Sequence, residues 1–197
     1  ANFEFSAKYI SYLTASQFWN SNSYVVLMST NRIVKDLTSG IPYLTSMVLS
    51  SVSSYLTPIL AQLMSADVIK LILSPTPMLQ QQSITTFYHI CLHYPDALKA
   101  GFSNLKACLD SQTQSVVVAT LFVMHELCII NPSNFISLIP KFFNLLTTYP
   151  QNSFIIIKSV QILTILSTIE KRLPKKLQDP YYKLLDQTNS MPILYEI

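Results

Sequence analysis

The sequence predicts an all-α fold in which pairs of helices repeat along the chain. Pro58, Pro95 and Pro132 lie 37 residues apart, each after one apolar helical run and before another. A similar step, of 36, 36, 37 and 39 residues, separates five leucines near the ends of the second helices: Leu37, Leu73, Leu109, Leu146 and Leu185. A two-helix period of about 40 residues is typical of HEAT and armadillo repeats. We therefore predict a right-handed α-solenoid of HEAT/armadillo-like helical hairpins, with about five repeats, roughly ten helices and no strands.

The composition is that of the dry interior of such a stack. Hydrophobic residues make up 50% of the chain and charged residues only 12%, which is about half the usual charged share. The two glycines, Gly40 and Gly101, leave little room for hairpin turns or phosphate-cradling loops. No uninterrupted run of about 18 apolar residues occurs, so the sequence predicts no membrane-spanning helix.

The whole chain, residues 1–197, is predicted to be a single continuous segment of one solenoid. It begins with Ala1 and ends on the apolar run Pro192-Ile193-Leu194-Tyr195. Neither end carries the polar outer helix that caps a free-standing array. We interpret the chain as a segment cut from a longer array.

The first three hairpins follow from apolar runs at helical period, separated by polar or proline-containing breaks. Residues 20–23 predict a turn and cap, residues 38–42 a break, and residues 74–77 a short linker. The predicted helices are residues 3–19 and 24–37, then 43–56 and 59–73, then 78–93 and 96–109.

The fourth and fifth hairpins are the most apolar part of the chain. Residues 116–130 are apolar on nearly every face, so this helix must be covered on every face. Asn131 and Pro132 then end it and start the next run, since Asn is a favoured cap and Pro fits a first turn. Pro140 lies inside that run, so the second helix is either kinked or begins near Ile139. Residues 154–169 and 175–187 form the predicted fifth hairpin.

The residue types that usually carry chemistry are sparse. Three cysteines without a Cys-x-x-Cys motif predict free buried thiols in a reducing compartment: Cys91, Cys108 and Cys128. His89 and His93 have a spacing that could hold a metal, but no third ligand accompanies them, so we interpret them as partly buried histidines. Adjacent helical residues point about 100° apart, so His125 and Glu126 are expected to bond other groups, as caps or between helices, and not each other. We predict no catalytic residue, no metal and no cofactor, and no enzyme activity.

Positive charge is concentrated towards the end of the chain. Seven basic residues against two acidic ones between Lys141 and Lys183 give a net charge of +5, and the remainder carries −2. Four of these residues form what we call the basic cluster: Lys171, Arg172, Lys175 and Lys176. The cluster could contact a partner's acidic face or acidic lipid headgroups. The alternative is a solvated loop, with cations near a helix C-terminus. A single short cluster does not predict nucleic-acid binding.

Several stretches resemble a known family. Residues 9–39 are similar to the adaptin trunk, in which a helix ends in a Thr-Asn-x-Ile-x-Lys-Asp-Leu block, here residues 30–37. Within the adaptins, residues 12–17 (YLTASQ) resemble the delta chains of the third heterotetrameric adaptor complex. Residues 131–148 and 167–196 are similar to delta-adaptin over their whole length.

The resemblance implies the large-subunit trunk of a vesicle coat adaptor, which scaffolds beta-like, mu-like and small sigma-like chains. It further implies cargo sorting between Golgi, endosomes and lysosome-like organelles, with an Arf-family GTPase and membrane cargo reached through the assembled complex. The location would be cytoplasmic and peripheral on Golgi or endosomal membranes and coated vesicles. The alternative is a HEAT-repeat nuclear transport receptor or another solenoid scaffold. Aromatic side chains expected to be exposed are candidate anchors or repeat-packing residues: Tyr43, Tyr55, Tyr149, Tyr181 and Tyr182.

Overall fold

The computed structural model describes residues 2–21, 24–187 and 190–197, with the side chains of residues 2–4 and 187 left out. Eleven α-helices and one 3-10 helix occur in these residues, and no strand. The all-α prediction of repeated helical hairpins is confirmed. The chain divides into two compact units, Ala1–Val116 and Val117–Ile197. Each is described by itself, and the single continuous array stays a prediction.

Unit 1 (residues 1–116) contains the three predicted hairpins. The first helix of each hairpin packs on the next, α1 on α3 and α3 on α5, and the second helices do the same, α2 on α4 and α4 on α6. Asn22 and Ser23 of the predicted turn lie outside the described residues. The helices are α1 Asn2–Phe18, α2 Tyr24–Leu37, α3 Pro42–Val52, α4 Pro58–Leu71, α5 Pro77–His93 and α6 Asp96–Cys108.

Proline and polar caps explain where these helices begin. Pro42, Pro58 and Pro77 occupy the first turns of α3, α4 and α5, where a missing N–H is not needed and a fixed φ favours the helix. The hydroxyl of Thr57 also accepts the N–H of Leu60 at 3.2 Å, which satisfies one of the first four amides of α4.

Hydrogen bonds between repeats follow the sequence period. Thr86 Oγ1 donates to the carbonyl of Leu49, 37 residues earlier, at 3.1 Å. Asn104 Nδ2 donates to the carbonyl of Ile69, 35 residues earlier, at 3.0 Å. These bonds join α5 to α3 and α6 to α4, so the repeat seen in the sequence is the register in which equivalent helices stack.

Unit 2 (residues 117–197) is organised around one helix, α9. This helix packs against the 3-10 helix, α8, α10 and α11, and its Ile155, Ile156 and Leu163 are fully buried. The boundary between the units falls within α7. The elements are α7 Gln114–Ile130, a 3-10 helix at Pro132–Leu138, α8 Ile139–Thr148, α9 Ser153–Ser167, α10 Leu173–Gln187 and α11 Met191–Glu196.

Two details of unit 2 refine the prediction. Helix α8 begins at Ile139 with Pro140 in its first turn, so the second of the two alternatives is confirmed, and a 3-10 helix fills the preceding segment. The predicted count of ten helices is wrong by one. The short helix α11 follows the fifth hairpin, packs on α9 and buries Ile193. Six residues are too few for a helical period to appear in the sequence.

The apolar helix α7 is buried over most of its length, but the expectation that it is covered on every face is wrong, because Phe122, Ile129 and Ile130 are exposed. Val116, Leu121 and Met124 are fully buried. Phe122 stays 42% exposed, and the ammonium of Lys158 lies 5.3 Å from the centre of its ring, a cation–π arrangement. No helix among the described residues is both long enough and apolar enough to span a bilayer.

Candidate partner-binding surfaces

The basic cluster lies at the junction between α9 and α10. Lys171 and Arg172 occupy the turn, and Lys175 and Lys176 lie in the first turn of α10, all four exposed to solvent. The interpretation as cations at a helix C-terminus therefore fails for Lys175 and Lys176. A helix N-terminus carries a partial positive charge, so these two lysines oppose the α10 dipole.

A groove of about 550 Å³ separates α8 from α10, and we call it the α8–α10 groove. The lining residues of α10 follow the spacing i, i+3, i+4, i+7 and i+8, and Phe143, Leu146 and Thr147 of α8 follow i, i+3 and i+4, which places each set on one face of its helix. Pro150 lies in the turn after α8. Buried Leu146 and Leu184 belong to its floor, whereas Thr147, Lys176 and Lys183 are exposed at its edge. The lining residues are Phe143, Leu146, Thr147 and Pro150 on the α8 side and Lys176, Asp179, Pro180, Lys183 and Leu184 on the α10 side.

This groove exists because α8 and α10 do not pack together as the second helices of unit 1 do. Helix α10 packs on α9. Pro180 lies inside α10 and has no N–H for the carbonyl of Lys176, four residues earlier, so one backbone acceptor beside the groove lacks its helical donor. Among the described residues, Lys176, Asp179 and Lys183 form no ion pair within 4.0 Å.

A second groove, of about 490 Å³, crosses the first helices of unit 1, and we call it the α1–α3–α5 groove. Apart from Ser50, the exposed side chains that line it are aromatic or apolar, and none of its lining residues among those the structure describes is charged. The buried Oε1 atom of Gln82 finds no donor among the described residues, while its Nε2 donates to Ser50 Oγ at 3.2 Å. The exposed apolar residues in its lining are Phe5, Tyr9, Leu13, Tyr43 and Met78.

A buried carboxylate joins α1 to α2 next to this groove. Asp36 is 4% exposed and accepts from Lys8 Nζ at 3.1 Å, Tyr12 OH at 3.0 Å and Arg32 Nε at 3.3 Å. Burial and the hydrogen bond to Asp36 hold the pKa of Tyr12 well above its usual value. Three donors compensate the desolvated carboxylate, as a buried charge requires.

The predicted thiols are free and buried. Burial raises the pKa of Cys91 to about 12 and that of Cys128 to about 11, so both stay protonated and poorly nucleophilic. Burial, followed by the nearby His93, lowers the pKa of His89. No group of three or more metal-ligating side chains occurs among the described residues.

The expectation that His125 and Glu126 bond other groups and not each other is wrong. His125 Nδ1 and Glu126 Oε1 lie 3.0 Å apart, both side chains being partly buried. A carboxylate can only accept, so Nδ1 carries the proton in this contact. The 100° separation applies to the Cα–Cβ directions, whereas the three side-chain torsions of Glu126 let its carboxylate turn back to the adjacent ring.

The expected exposure of the aromatic anchors also needs correction. Tyr43 and Tyr182 are exposed at 71% and 66%, but Tyr55 is fully buried and packs edge-to-face on Trp19 with centroids 5.3 Å apart. Tyr149 and Tyr181 are half-buried, and burial raises the pKa of Tyr181 to about 12. Tyr55 is therefore a packing residue of the repeats.

Sequence reasoning found the basic cluster but missed most of the α8–α10 groove. Of the four cluster residues only Lys176 lines it. The signal was present in residues 176–184, where lining side chains recur at i, i+3, i+4, i+7 and i+8 and so mark one face of a helix.

Stacked helical hairpins that present open grooves define the class of helical-repeat proteins. The chain belongs to the adaptin N-terminal region family, which matches residues 2–197. The expected resemblance to delta chains is confirmed. The chain is 35% identical to bovine (Bos taurus) AP-3 complex subunit delta-1 and 34% identical to the Dictyostelium discoideum AP-3 complex subunit delta. Each comparison covers 98% of this chain, and 16% and 17% of those relatives.

The fold agrees with a related assembly. The chain superposes on one subunit of a homology model of the full-length AP-3 complex in an intermediate open conformation, with a TM-score of 0.79 and 32% identity. The match covers 96% of this chain and 33% of that one. The chain spans about a sixth of the length of the bovine and Dictyostelium discoideum relatives.

Proposed function

We propose that this chain is part of the large-subunit trunk of a heterotetrameric vesicle coat adaptor of the AP-3 delta kind. Its role is to scaffold beta-like, mu-like and small sigma-like chains for cargo sorting and vesicle-mediated protein transport. The observation that carries the proposal is similarity over nearly the whole chain to AP-3 delta subunits, at 35% and 34% identity. Structural similarity to one chain of a homology model of the AP-3 complex agrees with it.

In this proposal the protein works as a scaffold, without catalysis. It sits peripherally on Golgi or endosomal membranes and on coated vesicles, at their cytoplasmic face. An Arf-family GTPase and membrane cargo engage the assembled complex. The nuclear transport alternative is not favoured, because the relatives named above are adaptor subunits.

Affinity purification of the tagged full-length protein from its own cells, followed by mass spectrometry, tests the proposal. We expect stoichiometric recovery of a beta-like, a mu-like and a small sigma-like chain. Recovery of a Ran-type GTPase and nuclear cargo without adaptor chains would overturn it. Cells expressing the tag alone provide the background.

We also propose that the basic cluster contacts an acidic surface, either a partner's face or acidic lipid headgroups. Its four exposed cations lie close together, and each cation near an acidic membrane contributes about 1 kcal/mol. The double variant Arg172→Glu with Lys175→Glu should lower flotation of the assembled complex with phosphatidylserine vesicles at least about tenfold. The matched control is Lys70→Glu with Lys99→Glu, two exposed lysines of unit 1.

Unchanged flotation with weaker subunit binding assigns the cluster to a partner. If both measurements match the wild type, the proposal for the cluster is wrong. Neutral phosphatidylcholine vesicles report the binding that does not depend on charge.

A further inference from the structure

We propose that the α8–α10 groove is the docking site of an acidic amphipathic helix of a partner chain. The inference rests on the proposed function, because it takes the occupant to be part of another chain of the same assembly. Three features of the described part of unit 2 support it: α8 and α10 do not pack directly on each other, the groove between them is about two helical turns long, and the lysines at its edge form no ion pair.

The two walls of the groove are formed by one face of α8 and one face of α10. Phe143, Leu146 and Thr147 on α8, and Lys176, Pro180 and Leu184 on α10, lie on stripes with the spacing by which one helix meets another. In unit 1 the corresponding second helices satisfy such stripes by packing directly, α2 on α4 and α4 on α6. In unit 2 the stripes of α8 and α10 border an open space instead.

The groove has the length and volume for part of one helix. The stripe from Lys176 to Leu184 runs about 12 Å along the α10 axis, since a helix rises about 1.5 Å per residue. The groove volume of about 550 Å³ lies within the range of about 300–1,000 Å³ common for ligand sites. These dimensions fit the side chains from about two turns of a third helix.

The edge of the groove carries two exposed lysines. Lys176 and Lys183 are exposed two helical turns apart on the same edge of the groove, with Asp179 between them. None of the three forms an ion pair within the described residues. Carboxylates spaced by about two turns on an incoming helix would pair with both lysines, and the carbonyl of Lys176 that lacks the N–H of Pro180 offers a further acceptor.

A helix suits the groove better than a bilayer does. The floor residues Leu146 and Leu184 are only 3% and 8% exposed and lie between two walls. A flat headgroup layer cannot reach them, whereas apolar side chains projecting from a helix can fill the space above them. Membrane contact by the same lysines is therefore a competing outcome that the experiment must detect.

The test uses the assembled complex purified through the full-length protein. A photo-activatable residue at Thr147, on the edge of the groove, should crosslink to one acidic helical segment of a partner chain. A probe at exposed Thr85 of α5, outside the groove, should not label that segment. Lys176→Glu with Lys183→Glu should lower the Thr147 crosslink at least about tenfold.

Matched variants separate groove chemistry from net charge and from misfolding. Lys70→Glu with Lys99→Glu makes the same change in net charge and should alter the crosslink less than about twofold. The variant Lys176→Arg with Lys183→Arg keeps both positive charges and should retain the Thr147 crosslink. Changing the acidic residues of the labelled helix to lysine should restore its crosslinking to the Lys176→Glu, Lys183→Glu variant.

Labelling of lipid, labelling of a segment without acidic residues, or equal loss in both Lys→Glu pairs would overturn the inference. If adaptor subunits co-purify but no acidic helix is labelled, the inference fails while the proposed function stands. If no adaptor subunit co-purifies with the wild-type protein, the proposed function fails first.

Discussion

The two units share one hairpin plan but differ in how their second helices meet. In unit 1, α2, α4 and α6 pack in series, and the buried carboxylate of Asp36 has three donors. The open groove of this unit lies on the first helices, α1, α3 and α5, and its described lining residues carry no charge. In unit 2, α8 and α10 stand apart, and Lys176 and Lys183 at the edge of the groove form no ion pair within the described residues. Similar helical faces thus pack together in unit 1 and border an open groove in unit 2, which is the space that we propose a partner helix fills.

The largest expected effect compares one phenylalanine from each unit. Phe87 is fully buried between α5 and its neighbours, so Phe87→Ala should lower the free energy of unfolding by about 3–5 kcal/mol. Phe143 lines the open groove and is half-buried, so Phe143→Ala should cost less than about half as much. Denaturant unfolding followed by circular dichroism measures both, and equal losses would show that the groove is closed in solution.

The next comparison concerns carboxylates. Asp36→Asn removes the charge that Lys8, Tyr12 and Arg32 share, so we expect a loss of about 3 kcal/mol. The same change at exposed Asp179, which has no ion pair in the described residues, should stay within about 0.5 kcal/mol. A neutral result at Asp36 would mean that the cluster does not hold α1 on α2.

Close packing of α5 on α6 gives the third prediction. A Cβ added at Gly101 would clash with Cζ of Phe87 and lie 2.7 Å from Cε2. Gly101→Ala should therefore destabilise the protein by about 2 kcal/mol. Combining it with Phe87→Leu, which shortens the side chain, should give a smaller loss than the sum of the two single changes, as expected for residues in contact.

The smallest effect is a pH dependence of unit 1. Burial and the neighbouring His93 lower the pKa of His89 below that of an unfolded histidine, so the unfolded chain binds more protons below about pH 6.5. Stability should therefore fall as the pH drops from about 6.5 towards the lowered pKa of the folded protein. Urea midpoints measured across this range should show the fall in the wild type and a flatter profile in His89→Gln.

Much of the fold could be predicted because it depends on local signals. Prolines in first turns, the leucine period and the polar breaks each act within a few residues, so the five hairpins and the start of α8 follow from the sequence. The buried position of Tyr55 could not be predicted, since it depends on Trp19 from another helix.

The candidate site was only partly predictable for the same reason. Composition shows the basic cluster, and Arg32 with Asp36 has a recognisable i, i+4 spacing. The separation of α8 from α10 is a property of tertiary packing around α9, which no stripe of residues specifies. Lys8 joins Asp36 from 28 residues away, beyond any local pattern.

The hydrogen bonds that link successive repeats have a consequence for how the protein is made. Thr86 and Asn104 reach back 37 and 35 residues, so each contact needs only the hairpin synthesised just before. Contacts that are short along the chain close small loops and form quickly. Unit 1 can therefore assemble hairpin by hairpin as it leaves the ribosome, each finished repeat acting as the template for the next.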